Sequence, residues 1–100
     1  MSPEANIERV LARLRALLPE LRERYGVDTF EVFGSTVRAD AGPESDLDLL
    51  VTFTETPDLL TFIALENDLS ERLGVPVDLV MRRALKPRLR GRILREAIPV

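Results

Sequence analysis

The chain has 100 residues, 45% of them apolar, and a formal net charge of −3, the size of one domain with a two-layer core. It contains neither cysteine nor histidine. Disulfides, thiolate and imidazole metal sites, and serine–histidine or cysteine–histidine catalysis are therefore excluded within it, and any metal must be held by oxygen, which favours Mg²⁺, Mn²⁺ or Ca²⁺ over zinc.

No signal peptide and no membrane-length apolar run is present, so a cytoplasmic protein with no membrane partner is expected. The charge is unevenly spread. From Asp40 to Asp78 there are ten acidic residues and one basic, Arg72; from Arg82 to Arg95 there are seven basic residues and no acid. Such blocks are ordinarily solvated helix faces. The sharper reading is that the basic end meets phosphates or an acidic partner.

Ser2-Pro3-Glu4 reads as a helix start. Ile7, Val10, Leu11, Leu14, Leu17, Leu18 and Leu21 follow at helical spacing, as a core or partner stripe. Pro19 is expected to end one helix near Leu17 and open a second, Pro19 to Tyr25, which Gly26 stops. Asp28 to Phe33 is the first predicted strand. Gly34-Ser35 is a turn, Thr36 to Asp40 a short helix and Ala41 to Glu44 a loop.

Asp46 to Phe53 is the second predicted strand, apolar on both faces after Asp48 and hence central in a sheet. Thr56-Pro57-Asp58 opens a helix with threonine as its cap; Leu59, Phe62, Ile63, Leu69 and Leu73 share roughly one side, and Gly74 ends it. Glu66 falls near that side, as a partly buried, paired carboxylate. Val75 to Met81 is a third strand, in which Pro76 marks either an edge strand or the strand's first residue. Pro87 opens a last helix to about Ala97, with Leu89, Ile93 and Ala97 inward. Lys86 and Arg90 lie one turn apart on its apolar side, where they either snorkel outward or reach toward a metal centre.

The chemistry concentrates between Val32 and Phe53. Side chains alternate along a strand, so Asp46 and Asp48 point the same way. Two adjacent carboxylates on so apolar a strand repel each other, and a divalent cation relieves the repulsion. Mg²⁺ commonly takes one or two carboxylates plus substrate phosphates. Gly34 lets a backbone approach closely, and Ser35 sits where a helix would begin, which together make an anion site. Asp78 lies on the opposite face from Val77 and Leu79. If its strand lies beside the second, Asp46, Asp48 and Asp78 meet at one point. An anion site beside a cation site is what a metal-bound nucleoside triphosphate needs.

Gly34-Ser35, Arg38, Ser45-Asp46-Leu47-Asp48-Leu49 and Val77-Asp78-Leu79-Val80, in that order, resemble the DNA polymerase beta superfamily of nucleotidyltransferases, most closely its minimal nucleotidyltransferase (MNT) domains. The likeness extends through Leu85-Lys86-Pro87 and Ile93 to Ala97, so that residues 1–100 read as one such domain. Ala39 departs from the pattern, where glycine is frequent, and that touches only the turn after Arg38.

The resemblance implies an α+β, two-layer fold: a small mixed sheet with helices packed on one side. It implies two Mg²⁺ ions on Asp46, Asp48 and Asp78, and ATP as donor, its triphosphate held by Gly34 and Ser35 with Arg38 on phosphate or on the loop. It further implies an antitoxin that transfers AMP to a tyrosine hydroxyl of a HEPN-family ribonuclease toxin. Asp78 is the candidate to help deprotonate the acceptor. The alternatives are an antitoxin acting by binding alone, transfer to a small molecule, and nucleic-acid binding by the basic tail. The acidic composition and scarce aromatics weigh against the last, and no direct nucleic-acid contact is expected.

Overall fold

Leucines at three- and four-residue spacing decide how the first element sits. Leu11, Leu14, Leu18 and Leu21 form one buried stripe along helix α1, Pro3–Tyr25. The structure, a computed structural model, describes residues 3–34 and 46–100. The predicted break at Pro19 does not occur; the proline lies inside α1, with its ring on the exposed side. Proline removes one amide donor and crowds the carbonyl four residues back. Here Leu14 and Leu18 before it and Leu21 after it bury in a single core, and that packing outweighs the local cost.

Strand β1 is Val27–Phe33 and strand β2 is Leu47–Phe53. Helix α2, Leu59–Leu73, leads to strand β3, Val77–Met81. A 3-10 turn, Arg82–Ala84, precedes helix α3, Pro87–Glu96, and a two-residue strand β4, Ile98–Pro99. The sheet order is β3-β2-β1-β4. β2 is antiparallel to β1 and parallel to β3, and β4 is antiparallel to β1. The sheet is thus mixed, with β2 central and β3 at an edge as expected. β4 was not expected: two residues, one of them proline, carry no readable alternation.

The core lies between one sheet face and helices α1 and α2. Phe30, Val32, Leu47, Leu49, Val51, Val77 and Leu79 meet the α1 stripe and Leu65 and Leu69 of α2. This corrects the predicted inward side of α2. Leu65 and Leu69 point in, with Phe62 and Leu73 packed beside them, whereas Leu59 and Ile63 are exposed. The helix cap also differs. Asp58, not Thr56, is the N-cap, its carboxylate accepting from Thr61 N at 2.7 Å. Gly74 closes the helix with φ +72°, its N–H donating to Ser70 O; only glycine adopts that left-handed conformation without strain.

Helix α2 does a second job at the open edge. An edge strand presents unpaired amides. The outward amides of β3 are taken up by α2 side chains: Val77 N donates to Ser70 Oγ at 3.0 Å and Leu79 N to Glu66 Oε2 at 2.9 Å. Glu66 is therefore a structural acceptor, as its position near the apolar side suggested. Between the two helices, Tyr25 Oη donates to Asp68 Oδ2 at 2.7 Å and Arg72 Nε to Asp68 Oδ1 at 2.8 Å, while Arg72 also pairs with Glu20.

Candidate active site

The aspartate strands are neighbours. In the parallel β2–β3 pair, Asp48 stands opposite Asp78 and Leu47 opposite Val77. Leu47, Leu49, Val77 and Leu79 are buried on the helix side. Alternation therefore turns Asp48 and Asp78 to the other face of the sheet. Asp78 is exposed and Asp48 half-buried. Partners on adjacent strands lie about 4.8 Å apart, within reach of one cation. Leu47 N donates to Pro76 O at 2.8 Å, which pins the register where the two aspartates begin.

On the other side of Asp48 stands the end of β1, where Phe33 is its antiparallel partner. The next residue, Gly34, has φ +80°. A Cβ on Gly34 would lie 2.1 Å from Asp48 Oδ2 and 3.0 Å from its Cγ. The carboxylate thus occupies the space that a side chain at 34 would fill. Glycine is required here twice over, by the left-handed backbone and by the close approach. Gly34, Asp48 and Asp78 consequently lie side by side across β1, β2 and β3.

Asp46 is exposed and immediately precedes β2. Ser35 and Arg38 lie outside the described residues. Among the described residues, no three acidic side chains are gathered closely enough to hold a metal ion by themselves. Magnesium does not require such a cage: it keeps several waters and uses one or two carboxylates together with substrate phosphates. The all-oxygen donor set, with Asp48 and Asp78 opposite each other on one sheet face, fits that ion.

Sequence reasoning overlooked Glu31. It lies two residues before Phe33 on β1, opposite Leu50, and so shares the aspartate face. Arg82 Nε lies 3.6 Å from its Oε1. Strand alternation was the signal that could have found it. One expectation for α3 needs correction: Leu89 is exposed rather than inward. Of the two alternatives for Arg90 the outward one agrees with the structure: it is exposed and lines a cavity with Thr52, Phe53, Met81, Arg82 and Arg83, at the carboxyl ends of β2 and β3, away from the aspartates.

Residues 14–100 match the family described as "Nucleotidyltransferase domain". A curated relative, protein adenylyltransferase MntA of Thermococcus cleftensis, is 48% identical over 94 residues, covering 94% of this chain and 95% of the relative. A solved structure of a protein assigned as a minimal nucleotidyltransferase superposes with a TM-score of 0.74 at 45% identity, covering 100% of this chain and 97% of that one. A second, tri-AMPylated HEPN toxin of Shewanella oneidensis in complex with MNT antitoxin, shares the fold at a TM-score of 0.60 and 22% identity, covering 97% of this chain and 70% of that one. With the glycine–aspartate geometry in place and the match spanning most of its length, the chain belongs to the nucleotidyltransferase family, and its α+β architecture is the minimal nucleotidyltransferase fold.

Proposed function

We propose that this chain is an antitoxin that transfers AMP from ATP to a tyrosine hydroxyl of a partner HEPN-family toxin. The observation that carries the reading is the packing of Gly34 against Asp48, opposite Asp78. The 48% identity to a protein adenylyltransferase supports the substrate class.

The reaction is an in-line displacement. The acceptor oxygen forms a bond to the α-phosphorus, the bond from that phosphorus to the bridging oxygen breaks, and pyrophosphate leaves with the electron pair. Mg²⁺, two ions in this reading, would lie on Asp46, Asp48 and Asp78 and supply charge neutralisation for the attacking and departing oxygens. Asp78, the more open of the strand pair, accepts the hydroxyl proton directly or through water. The Asp48 carboxylate lies in the space that Gly34 leaves open, which brings its oxygens beside the backbone that would receive the phosphates. Gly34 and Ser35 receive the triphosphate, and Arg38 supports it. Among the described residues no helix is long and apolar enough to cross a membrane, and the reading takes the reaction to be cytoplasmic.

The alternative is that the chain neutralises its partner by binding alone. Incubating chain, Mg²⁺, α-labelled ATP and a HEPN-family toxin separates the two. Label on the toxin, absent with Asp48→Asn, supports transfer. Suppressed toxicity with no label refutes transfer and leaves binding.

A further inference from the structure

At the far end of the two aspartate strands lies a cavity of about 290 Å³ with three arginines in its wall, Arg82 and Arg83 from the 3-10 turn and Arg90 from α3. From Asp48 to Thr52 strand β2 climbs four residues, about 13 Å, and β3 ends at Met81, three residues beyond Asp78. Neither Asp48 nor Asp78 lines the cavity. The volume is at the lower end of small-ligand sites, about 300 to 1,000 Å³.

Its charge is unusual for this chain. The molecule carries seventeen acidic residues against fourteen basic ones, yet no acidic residue lines the cavity. Arg82 has a partner, Glu31 at 3.6 Å. Among the described residues no carboxylate pairs with Arg83 or Arg90. Arginine stays charged at any accessible pH, so the three positive charges cannot be relieved by losing protons. All three are exposed, and they line a concavity whose other walls combine apolar side chains, Phe53 and Met81 among them, with Thr52 and Thr56. Guanidinium forks suit phosphate geometry, and an aromatic ring beside a thioether suits the flat face of a ring.

We propose that this cavity is a second binding site, for a small phosphate-bearing molecule no larger than a nucleoside monophosphate, with Arg83 and Arg90 taking the phosphate and Phe53 and Met81 the remainder. The site is separate from the aspartate end and needs no metal. Its existence does not depend on the transfer reaction proposed above.

The test titrates the full chain in EDTA with AMP and, separately, with pyrophosphate, by calorimetry and by backbone amide shifts. Binding is expected, with shifts centred on Phe53, Met81 to Arg83, and Arg90. The double variant Arg83→Gln with Arg90→Gln should weaken it at least about tenfold, the loss of one charge-assisted hydrogen bond or more. Asp48→Asn should change it less than about twofold, because that residue lies about 13 Å away along the strand. Both arginines are exposed, and Arg83→Lys with Arg90→Lys, which keeps the charge but not the fork, should give an intermediate affinity. Tighter binding of AMP identifies a nucleotide ligand; tighter binding of pyrophosphate identifies the inorganic anion. Failure of both to bind at millimolar concentration overturns the site, as does binding that survives the double glutamine variant or disappears with Asp48→Asn.

Discussion

Gly34 and Asp48 share one volume: the Asp48 Oδ2 atom sits 2.1 Å from where a Cβ at position 34 would be. Replacing Gly34 by alanine therefore has two effects. The φ of +80° becomes strained, at about 1–2 kcal/mol, and the Asp48 carboxylate must move. A displacement near 1 Å in a positioned group costs about a hundredfold in rate. Gly34→Ala is expected to lower AMP transfer by at least that factor while the chain still melts cooperatively. Single-turnover assays beside a thermal melt check it; near-normal turnover would show that Asp48 need not be where Gly34 puts it.

Asp48→Asn and Asp78→Asn each remove one of two facing like charges. Transfer should drop by about a thousandfold or more, in line with the loss of a principal electrostatic group. In the absence of divalent cation, however, the melting temperature of Asp78→Asn should not fall. Mg²⁺ at ten times its dissociation constant should stabilise the parent chain by about 1.4 kcal/mol, and this gain should vanish in both variants. A magnesium shift that persists in Asp48→Asn would move the ion elsewhere.

The edge lock predicts a coupling between stability and activity. Glu66→Ala leaves the Leu79 amide, now bonded at 2.9 Å, without its acceptor, at about 1–3 kcal/mol. Glu66→Gln keeps an acceptor and should cost less. Since Asp78 is the residue before Leu79, faster hydrogen exchange at Leu79 in Glu66→Ala should accompany reduced transfer. Equal exchange in the two variants would separate Glu66 from the edge.

Between α1 and α2, burial pushes the Asp68 carboxyl up, but hydrogen bonds from Tyr25 and Arg72 outweigh it and the net shift is downward. Tyr25 goes the other way, raised by burial and by the Asp68 charge. A depressed carboxyl stabilises the fold above its unfolded value, about 3.9, and that contribution is lost as pH falls through the folded value. A raised phenol stabilises below about 10, and its contribution is lost as pH rises further. Melting temperature against pH should therefore decline at both ends. Asp68→Asn should flatten the acid limb and Tyr25→Phe the alkaline one, the latter at about 1–3 kcal/mol near neutrality. Parallel curves for parent and variants would remove the pair from the account.

What the sequence disclosed, and what it hid, divides by range. The alternation set Asp48 apart from Leu47 and Leu49, and Asp78 apart from Val77 and Leu79, but that the two aspartates share a face rested on the strands being neighbours, which the observed register supplies; Pro76 pointed to the edge position of β3. Gly34 read as a close-approach glycine, but not what approached it, because Phe33 and Asp48 meet only through strand pairing. Pro19 misled because its local penalty is visible and the compensating burial of Leu14, Leu18 and Leu21 is not. The inward side of α2 was mis-set by counting Leu59 and Ile63 and leaving out Leu65, which is fully buried. The arginine cavity was beyond reach, since Arg83 and Arg90 come together with Phe53 only once β2 and β3 lie side by side.

Asp48 and Asp78 are thirty residues apart and become neighbours only because α2 carries the chain over to a parallel strand. Long-range pairing of this kind is slow to form and stands late in assembly. A nascent chain that has emerged only as far as α2 therefore has one aspartate strand and no partner for it; on the proposed reading, any such fragment, whether stalled or nicked, lacks one of the two facing carboxylates that transfer requires.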